Sequence, residues 1–460
     1  MEEMLDSILD YCGKRSSFAD VRFMSSEENG VSYRNGEFQG FQTSRNSGIA
    51  IRIVNRSISY VFTNSSDREE IFRLIDGAVD RSNKPGKNRI SLGKDTRAKW
   101  KVPSSKSPLD MSIDDRIEIV KSNDELMKTL GADIRINVLS DSITHEHYMN
   151  TIGSSIEGEY PRIGYSYVAG VMDSGNFEQS SAQFGITAGY EDFKTMNIED
   201  KVAGDIKSLK NAIRSRGIKP GVYDVVIGPE ISGIVAHESC GHPTEYDRII
   251  GREGAQAGES FLSGKTYPYR VGSDSVSVID DPTMPKSYGF YRYDDEGIES
   301  RKKYLYHHGM TEEFIHNRES AAILGVEPNG CGRSSDWDME PIPRMSTTYI
   351  EPGEFTLEEL IEGIKEGLYI VSYTEWNIDD IRYNEKYVGK EAYRITNGKL
   401  GDSVRRPVIE TTTTKLYGSV DAVSRDLEFS AGTCGKGDPE QGVDVWMGGP
   451  NVRLRNMYIS

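Results

Sequence analysis

The sequence predicts an α+β fold, with N-terminal antiparallel sheets covered by helices and a C-terminal β-rich, barrel-like domain. Three observations carry this. Apolar and polar residues alternate on both sides of Asn35-Gly36, a dipeptide that favours tight hairpins. Segments of helical period, several with a capping signal, interrupt the alternation. Beyond Gly217 the chain becomes a series of short strand-like runs punctuated by Gly and Pro. At 460 residues it exceeds one hydrophobic core, so three units are expected: 1–95 and 96–217, both α+β, and 218–460, β-rich.

The first element is an acidic amphipathic helix with Met4, Leu5, Ile8, Leu9 and Cys12 on one face. It lacks the basic start and unbroken apolar run of a signal peptide. Strands follow over 17–64, marked by Val31, Tyr33, Phe38 and Phe41, then Ile49, Ile51 and Ile53, then Ile58, Tyr60 and Phe62. Ser66, with Glu69 three residues on, predicts a capped helix whose apolar positions are Ile71, Leu74, Ile75, Ala78 and Val79. The polar stretch 82–108 has no period and reads as a linker. A second helix is predicted from Ser112, with Asp115 in its first turn. Strands containing Ile134, Ile136 and Val138, then Tyr165, Tyr167 and Phe184, come next, and a long helix over 194–216 closes this half. Val222–Ile227 reads as a buried strand, Gly228-Pro229 as a helix start, and 356–367 as a helix.

Composition narrows the function. The formal charge is −17, from 55 basic and 72 acidic residues, which disfavours nucleic acid and anionic membranes as partners. No stretch approaches the roughly 18 apolar residues of a membrane span. The 4 cysteines, at 12, 240, 331 and 434, are too scattered for a disulfide framework, so a cytoplasmic location is expected.

The chemistry concentrates in His237-Glu238-Ser239-Cys240-Gly241-His242, directly after the apolar stretch 231–236. Imidazoles are common zinc ligands, and a carboxylate beside the first is the usual base of metal-assisted hydrolysis. The spacing is one residue longer than H-E-x-x-H. Five residues of ideal α-helix advance roughly 500°, about 140° past one turn, so the rings would diverge. Either a π-type bulge realigns them, or the helix ends at Gly241 and His242 swings back, as Pro243 favours. The plain alternative is a helix end with two incidental histidines. A catalytic zinc site needs a third protein ligand. Cys434, in the loop Gly432-Thr433-Cys434-Gly435-Lys436-Gly437, and Cys331 are rival sources, and residue chemistry alone does not separate them. That loop is not a phosphate-binding one, because Gly follows Lys436. His145-Glu146-His147 reads as a solvated strand face, and His307-His308 as a hairpin turn. Asp280-Asp281 and Asp294-Asp295-Glu296 read first as solvated turns, with cation or substrate binding as the alternative.

The stretch 237–245 resembles the TldD/PmbA metalloprotease family, also called modulator of DNA gyrase. Val278-Ile279-Asp280-Asp281, Asp294-Asp295-Glu296-Gly297, Pro341-Ile342-Pro343-Arg344-Met345-Ser346, Gly367-Leu368-Tyr369-Ile370 and Gly432-Thr433-Cys434-Gly435-Lys436 are similar and in the family's order. The resemblance implies one zinc ion held by His237, His242 and Cys434, with Glu238 as base, and it favours Cys434 over Cys331. It implies the metal-bearing, TldD-type subunit, paired with a PmbA/TldE-type paralogue lacking the motif or with a second copy. It also implies hydrolysis of peptide bonds in unfolded peptides or small proteins, by metal-bound water that Glu238 deprotonates. Two other readings remain: a non-enzymatic protein modulating a partner such as a gyrase complex, and a structural zinc site with Cys240 as fourth ligand.

Overall fold

A computed structural model of the protein describes residues 2–86, 89–255 and 257–460. Helix α1 (Glu2–Gly13) buries Leu5, Ile8 and Cys12. Strands β1 (Phe18–Arg34) and β2 (Glu37–Val54) form the expected hairpin. Asn35 and Gly36 both take positive φ, 49° and 88°, which suits the twist of the flanking strands. Strand β3 (Ile58–Thr63) pairs with β2, and α2 (Arg68–Ser82) buries Ile71, Ile75 and Ala78. The cap of α2 is Asp67 rather than Ser66. Its carboxylate accepts from the N–H groups of Glu69 and Glu70, and an anion there also complements the helix dipole.

The stretch predicted as a linker, whose residues 87 and 88 lie outside the described ones, contains β4 (Arg97–Lys101). Helix α3 (Ile113–Thr129) follows, with the Ser112 hydroxyl accepting from the Asp115 N–H. Long strands β5 (Ile134–Asn150), β6 (Ser155–Asp173) and β7 (Asn176–Ile186) complete a 7-stranded sheet in the order β3-β2-β1-β5-β6-β4, with β7 also on β6. Strand β4 pairs in parallel with β6 and turns Ala98 and Trp100 inward between exposed Arg97, Lys99 and Lys101, an alternation only five residues long. The helix predicted from 194 begins later. A short α4 (Tyr190–Phe193) precedes α5 (Ile198–Arg214), and Asn197 sits between them at φ 50°.

The C-terminal part starts with β8 (Gly221–Ile227) and α6 (Pro229–Ala236). Short strands follow: β9 (Val278–Asp280), β10 (Lys303–His307), β11 (Met310–Thr311), β12 (Gly332–Arg333), β13 (Ile342–Pro343) and β14 (Thr347–Ile350). After a helix over Leu357–Glu362, shorter than predicted, come β15 (Glu366–Ile378), β16 (Asn384–Thr396), β17 (Lys399–Ser403) and β18 (Val408–Thr412). The last are β19 (Val420–Val423), β20 (Glu428–Lys436), β21 (Gln441–Gly449) and β22 (Val452–Ile459). The order β15-β8-β22-β18-β16, with β15 also pairing β16, closes a 5-stranded barrel, as the sequence led us to expect. A second sheet runs β11-β10-β9-β14-β21-β20.

Helix α6 packs against β14, β20 and β21 of that sheet and against β15 of the barrel. Gly233 permits the approach: a Cβ there would stand 3.1 Å from the Met447 carbonyl. Ile231, Ile234 and Val235 share one core with Leu368 and Ile370 of the barrel and Val443 and Val445 of the sheet. The segment after α6 is thereby held against β20 before any site chemistry begins.

Candidate metal centre

The turn after α6 is a π-helix over His237–Gly241. The His242 N–H donates to the His237 carbonyl, a bond spanning five residues, so the extra residue is absorbed without ending the helix. Of the two remedies open in the sequence, the bulge is the one found, and Gly241 keeps a helical φ of −57°. Its lack of a side chain serves another purpose. A Cβ at 241 would collide with Met345, itself fully buried. The Thr244 hydroxyl then donates to the carbonyls of Cys240, at 2.9 Å, and Gly241, at 2.8 Å.

The bulge brings the His237 and His242 rings to 4.9 Å between centroids, at 82° to one another. Cys434, on β20, completes a triad whose ligand atoms all lie within 4.8 Å of one another. His242 Nε2 and Cys434 Sγ are 3.4 Å apart. Zinc bonds of roughly 2.0 Å to nitrogen and 2.3 Å to sulfur, at tetrahedral angles, require separations of about 3.3–3.6 Å. The His237 Nδ1 is buried with no hydrogen-bond partner among the described residues. A buried ring nitrogen without a partner is costly, and two nitrogens plus one sulfur are a donor set that zinc accepts. The residues present therefore fit a metal ion. Cys331 stands elsewhere, beside Lys303 and Asp280. Cys240 faces Tyr306 and is not in the triad.

Burial works against charge on the imidazoles, while the thiol is helped to ionise by its neighbours. Burial lowers the pKa of both His237 and His242. Burial opposes ionisation of Cys434, but the His242 ring and the Arg344 guanidinium outweigh it and bring the thiol down to about 7. Burial raises the pKa of Glu238, against the opposing pull of His237 and Arg382. The Glu238 Oε2 accepts from Arg382 Nη1 at 2.6 Å.

Sequence reasoning missed the partners that hold this set. Glu245 is wholly buried, and its Oε2 lies 2.9 Å from His242 Nδ1, so Nε2 is left facing Cys434. Burial disfavours the Glu245 carboxylate, but Lys436, His242 and Arg248 hold its pKa well below the usual range. The spacing of three residues from His242 to Glu245 and again to Arg248 is a helical signal that could have found both. Arg344, fully buried, donates to the Cys434 and Gln441 carbonyls and ties the β20–β21 hairpin in place.

The other candidates separate clearly. His145 is half exposed beside the Glu159 carboxylate at 3.5 Å, and His147 meets Ser155 Oγ at 3.1 Å. His307-His308 forms the β10–β11 turn, with His308 at φ 47°. The acidic pairs are not the solvated turns expected. Asp280 is fully buried, accepting from Ser346 N at 2.8 Å and Lys303 Nζ at 3.2 Å. Asp294 accepts from three backbone N–H groups, of Glu296, Ile298 and Gly332. Asp295 pairs with Arg22 at 3.0 Å, and Glu296 with Arg52. The first sheet supplies the cations of Asp295 and Glu296, whereas that of Asp280 comes from β10 of the second sheet. Asp281 keeps a turn role nearer the surface, accepting from the Thr283 N–H and hydroxyl.

Residues 220–460 match the PmbA/TldA metallopeptidase C-terminal domain, 19–82 match domain 1 and 106–210 the central domain. The chain belongs to the PmbA/TldA metallopeptidase family. A metalloprotease of Methanocaldococcus jannaschii is 30% identical over 448 residues, covering 95% of each chain. One of Methanothermobacter thermautotrophicus is 29% identical, covering 99% of this chain and 98% of the relative. A zinc metalloprotease TldD homologue of Saccharolobus solfataricus is 26% identical, with 96% of each covered. A structure described as a candidate modulator of a DNA gyrase from Thermotoga maritima superposes over 100% of both chains, with TM-score 0.81 and 19% identity. TldE from Thermococcus kodakarensis gives TM-score 0.78 at 17% identity, over 99% of this chain and 100% of its own. These two likenesses are ones of fold. Among the described residues no helix is long and apolar enough to cross a membrane.

Proposed function

We propose that this chain is a zinc-dependent peptidase that hydrolyses peptide bonds in unfolded peptides or small proteins. His237, His242 and Cys434 hold the ion and Glu238 is the general base. One observation carries the reading: two imidazoles and a distant thiol converge within 4.8 Å beside a buried carboxylate. Zinc, when bound, supplies Lewis acidity, which polarises the scissile carbonyl and lowers the pKa of water toward neutrality. Glu245 fixes the His242 ring so that Nε2 serves as donor. Glu238, held by its Arg382 contact, accepts the proton of the attacking water and returns it to the departing amine.

The three units at 1–95, 96–217 and 218–460, a cytoplasmic location and a companion subunit of the PmbA/TldE type, or a second copy, belong to the same proposal. The matched stretches 19–82, 106–210 and 220–460 support the division.

The test is Glu238→Gln. We expect kcat on an unstructured peptide to fall by about 10²–10⁴-fold while zinc per chain stays at the parent value. Parent-level turnover in the zinc-loaded variant contradicts the assignment.

A further inference from the structure

The hydrolysis proposed above builds negative charge on the carbonyl oxygen, and the strongest catalytic contributions come from donors aimed at such charge. Three arginines stand around the centre, Arg344 and Arg248 buried and Arg382 half-buried, and the first two have their terminal nitrogens occupied. The terminal nitrogens of Arg344 donate to the carbonyls of Cys434 and Gln441. Arg248 donates to Glu245 and to the Ala257 carbonyl. The Tyr387 hydroxyl is committed to Glu385 at 3.0 Å.

Arg382 differs. Its side chain is 11% exposed and its Nη1 donates to Glu238 at 2.6 Å. Its Nε has no partner among the described residues, which is also true of Arg344 Nε, but Arg344 spends both terminal nitrogens on carbonyls whereas Arg382 spends only Nη1. A guanidinium has five N–H donors in a planar fork, so most of this one's capacity is unspent next to the base. Its charge also reaches both His237 and His242, so the group lies near the same centre.

The backbone points the same way. Arg382 takes φ 61°, a conformation that costs any residue with a Cβ. The loop between β15 and β16 holds it there. Its N–H donates to the Asp379 carbonyl at 2.9 Å, and its own carbonyl accepts from Thr413 Oγ1 at 2.9 Å. The Asp379 carboxylate accepts from Tyr383 N at 2.7 Å and Asn384 Nδ2 at 2.6 Å. A surrounding structure that fixes a disfavoured backbone and a buried unpaired donor beside a base is the pattern of a functional position.

We propose that Arg382 is a catalytic residue that donates to the oxyanion of the scissile peptide carbonyl, while the same guanidinium orients Glu238. This rests on the peptidase reading. In the step, the water oxygen bonds to the carbonyl carbon and its proton passes to Glu238. The carbonyl π pair moves to oxygen, where the free N–H groups of Arg382 receive it. Collapse re-forms the C=O, breaks the C–N bond and returns the proton to the amine nitrogen.

The test uses zinc-loaded full-length enzyme, an unstructured peptide substrate and a phosphinic peptide as oxyanion mimic. Glycine tolerates φ 61°, so Arg382→Gly removes the side chain without straining the loop; Arg382→Lys keeps the charge and loses the fork. We expect kcat to fall by about 10²–10³-fold in Arg382→Gly with KM and zinc content unchanged. Affinity for the phosphinic peptide, measured by calorimetry, should fall by a similar factor. Guanidinium ion should restore turnover to Arg382→Gly, and Arg382→Lys should recover only part of it. A kcat within threefold of the parent overturns the proposal, as does a rise in KM alone. A fall that guanidinium does not relieve, in a variant whose thermal unfolding is also shifted, overturns it in favour of a structural role. An active parent with an equally active Arg382→Gly variant sinks this inference alone, whereas an inactive zinc-loaded parent sinks the peptidase reading and this one with it.

Discussion

Around Asp205 the buried polar atoms are satisfied within the protein, while around His237 some are left free. Asp205 is buried between α5, β7 and β16, and both its oxygens are used. Oδ2 accepts from Tyr167 and Ser180, each at 2.7 Å, and Oδ1 faces Lys201 at 3.1 Å and Lys390 at 3.3 Å. Lys390 also donates to Ser180 at 2.9 Å. The metal centre is as deeply buried, yet His237 Nδ1 and Arg382 Nε have no partners among the described residues. Burying polar groups is costly in both places, and the first cluster offsets that cost internally. The second leaves capacity for something that binds. The difference separates a frame from a site: disturbing the frame should cost stability, and disturbing the site should cost affinity or turnover.

The largest effect on that contrast is expected from Asp205→Ala. It leaves Lys390, 3% exposed, without its main counter-charge. We expect a loss of about 3–5 kcal/mol of unfolding free energy in urea, with zinc affinity unchanged. A loss below about 1 kcal/mol would break the comparison on the frame side.

Glu245→Gln tests the other side. It removes the charge that faces His242 Nδ1 at 2.9 Å but keeps an acceptor there. Competition against a chelator should show zinc affinity falling by about 10–100-fold. Unchanged affinity would mean that the ring is held by packing alone.

The smallest effect is one of pH. Burial disfavours the Asp205 carboxylate, but Lys390 and Lys201 outweigh it and hold its pKa at about 2. A folded value below the unfolded one means that the stabilisation is fully present above about pH 4 and disappears as pH falls through about 2. Its size is about 2 kcal/mol. Acid unfolding of Asp205→Asn should lack that component, and an identical acid profile in parent and variant would exclude it.

Much of the frame was legible because it repeats. The hairpin at Asn35-Gly36, the cap at Ser112 and the strand–Pro–helix passage at 222–236 each obey a local rule. The spacing of His237 and His242 showed that the backbone must depart from an α-helix, but not how. The choice of a π-bulge involves Met345, a buried neighbour about a hundred positions away that leaves no room for a side chain at 241. The same distance hid Arg382, 144 residues from Glu238 in a polar turn. The acidic turns misled for a related reason. Asp294-Asp295-Glu296 looks solvated in sequence because its cations, Arg22 and Arg52, belong to the first sheet. Strand β4 was missed because its alternation, Ala98 and Trp100 between Arg97, Lys99 and Lys101, is only five residues long.

X-ray absorption at the zinc edge of the loaded protein tests the central claim most directly. The account predicts two imidazole nitrogens at about 2.0–2.1 Å, a single sulfur at about 2.3 Å and one further oxygen. A sulfur count of zero, or of two with no oxygen, would contradict it.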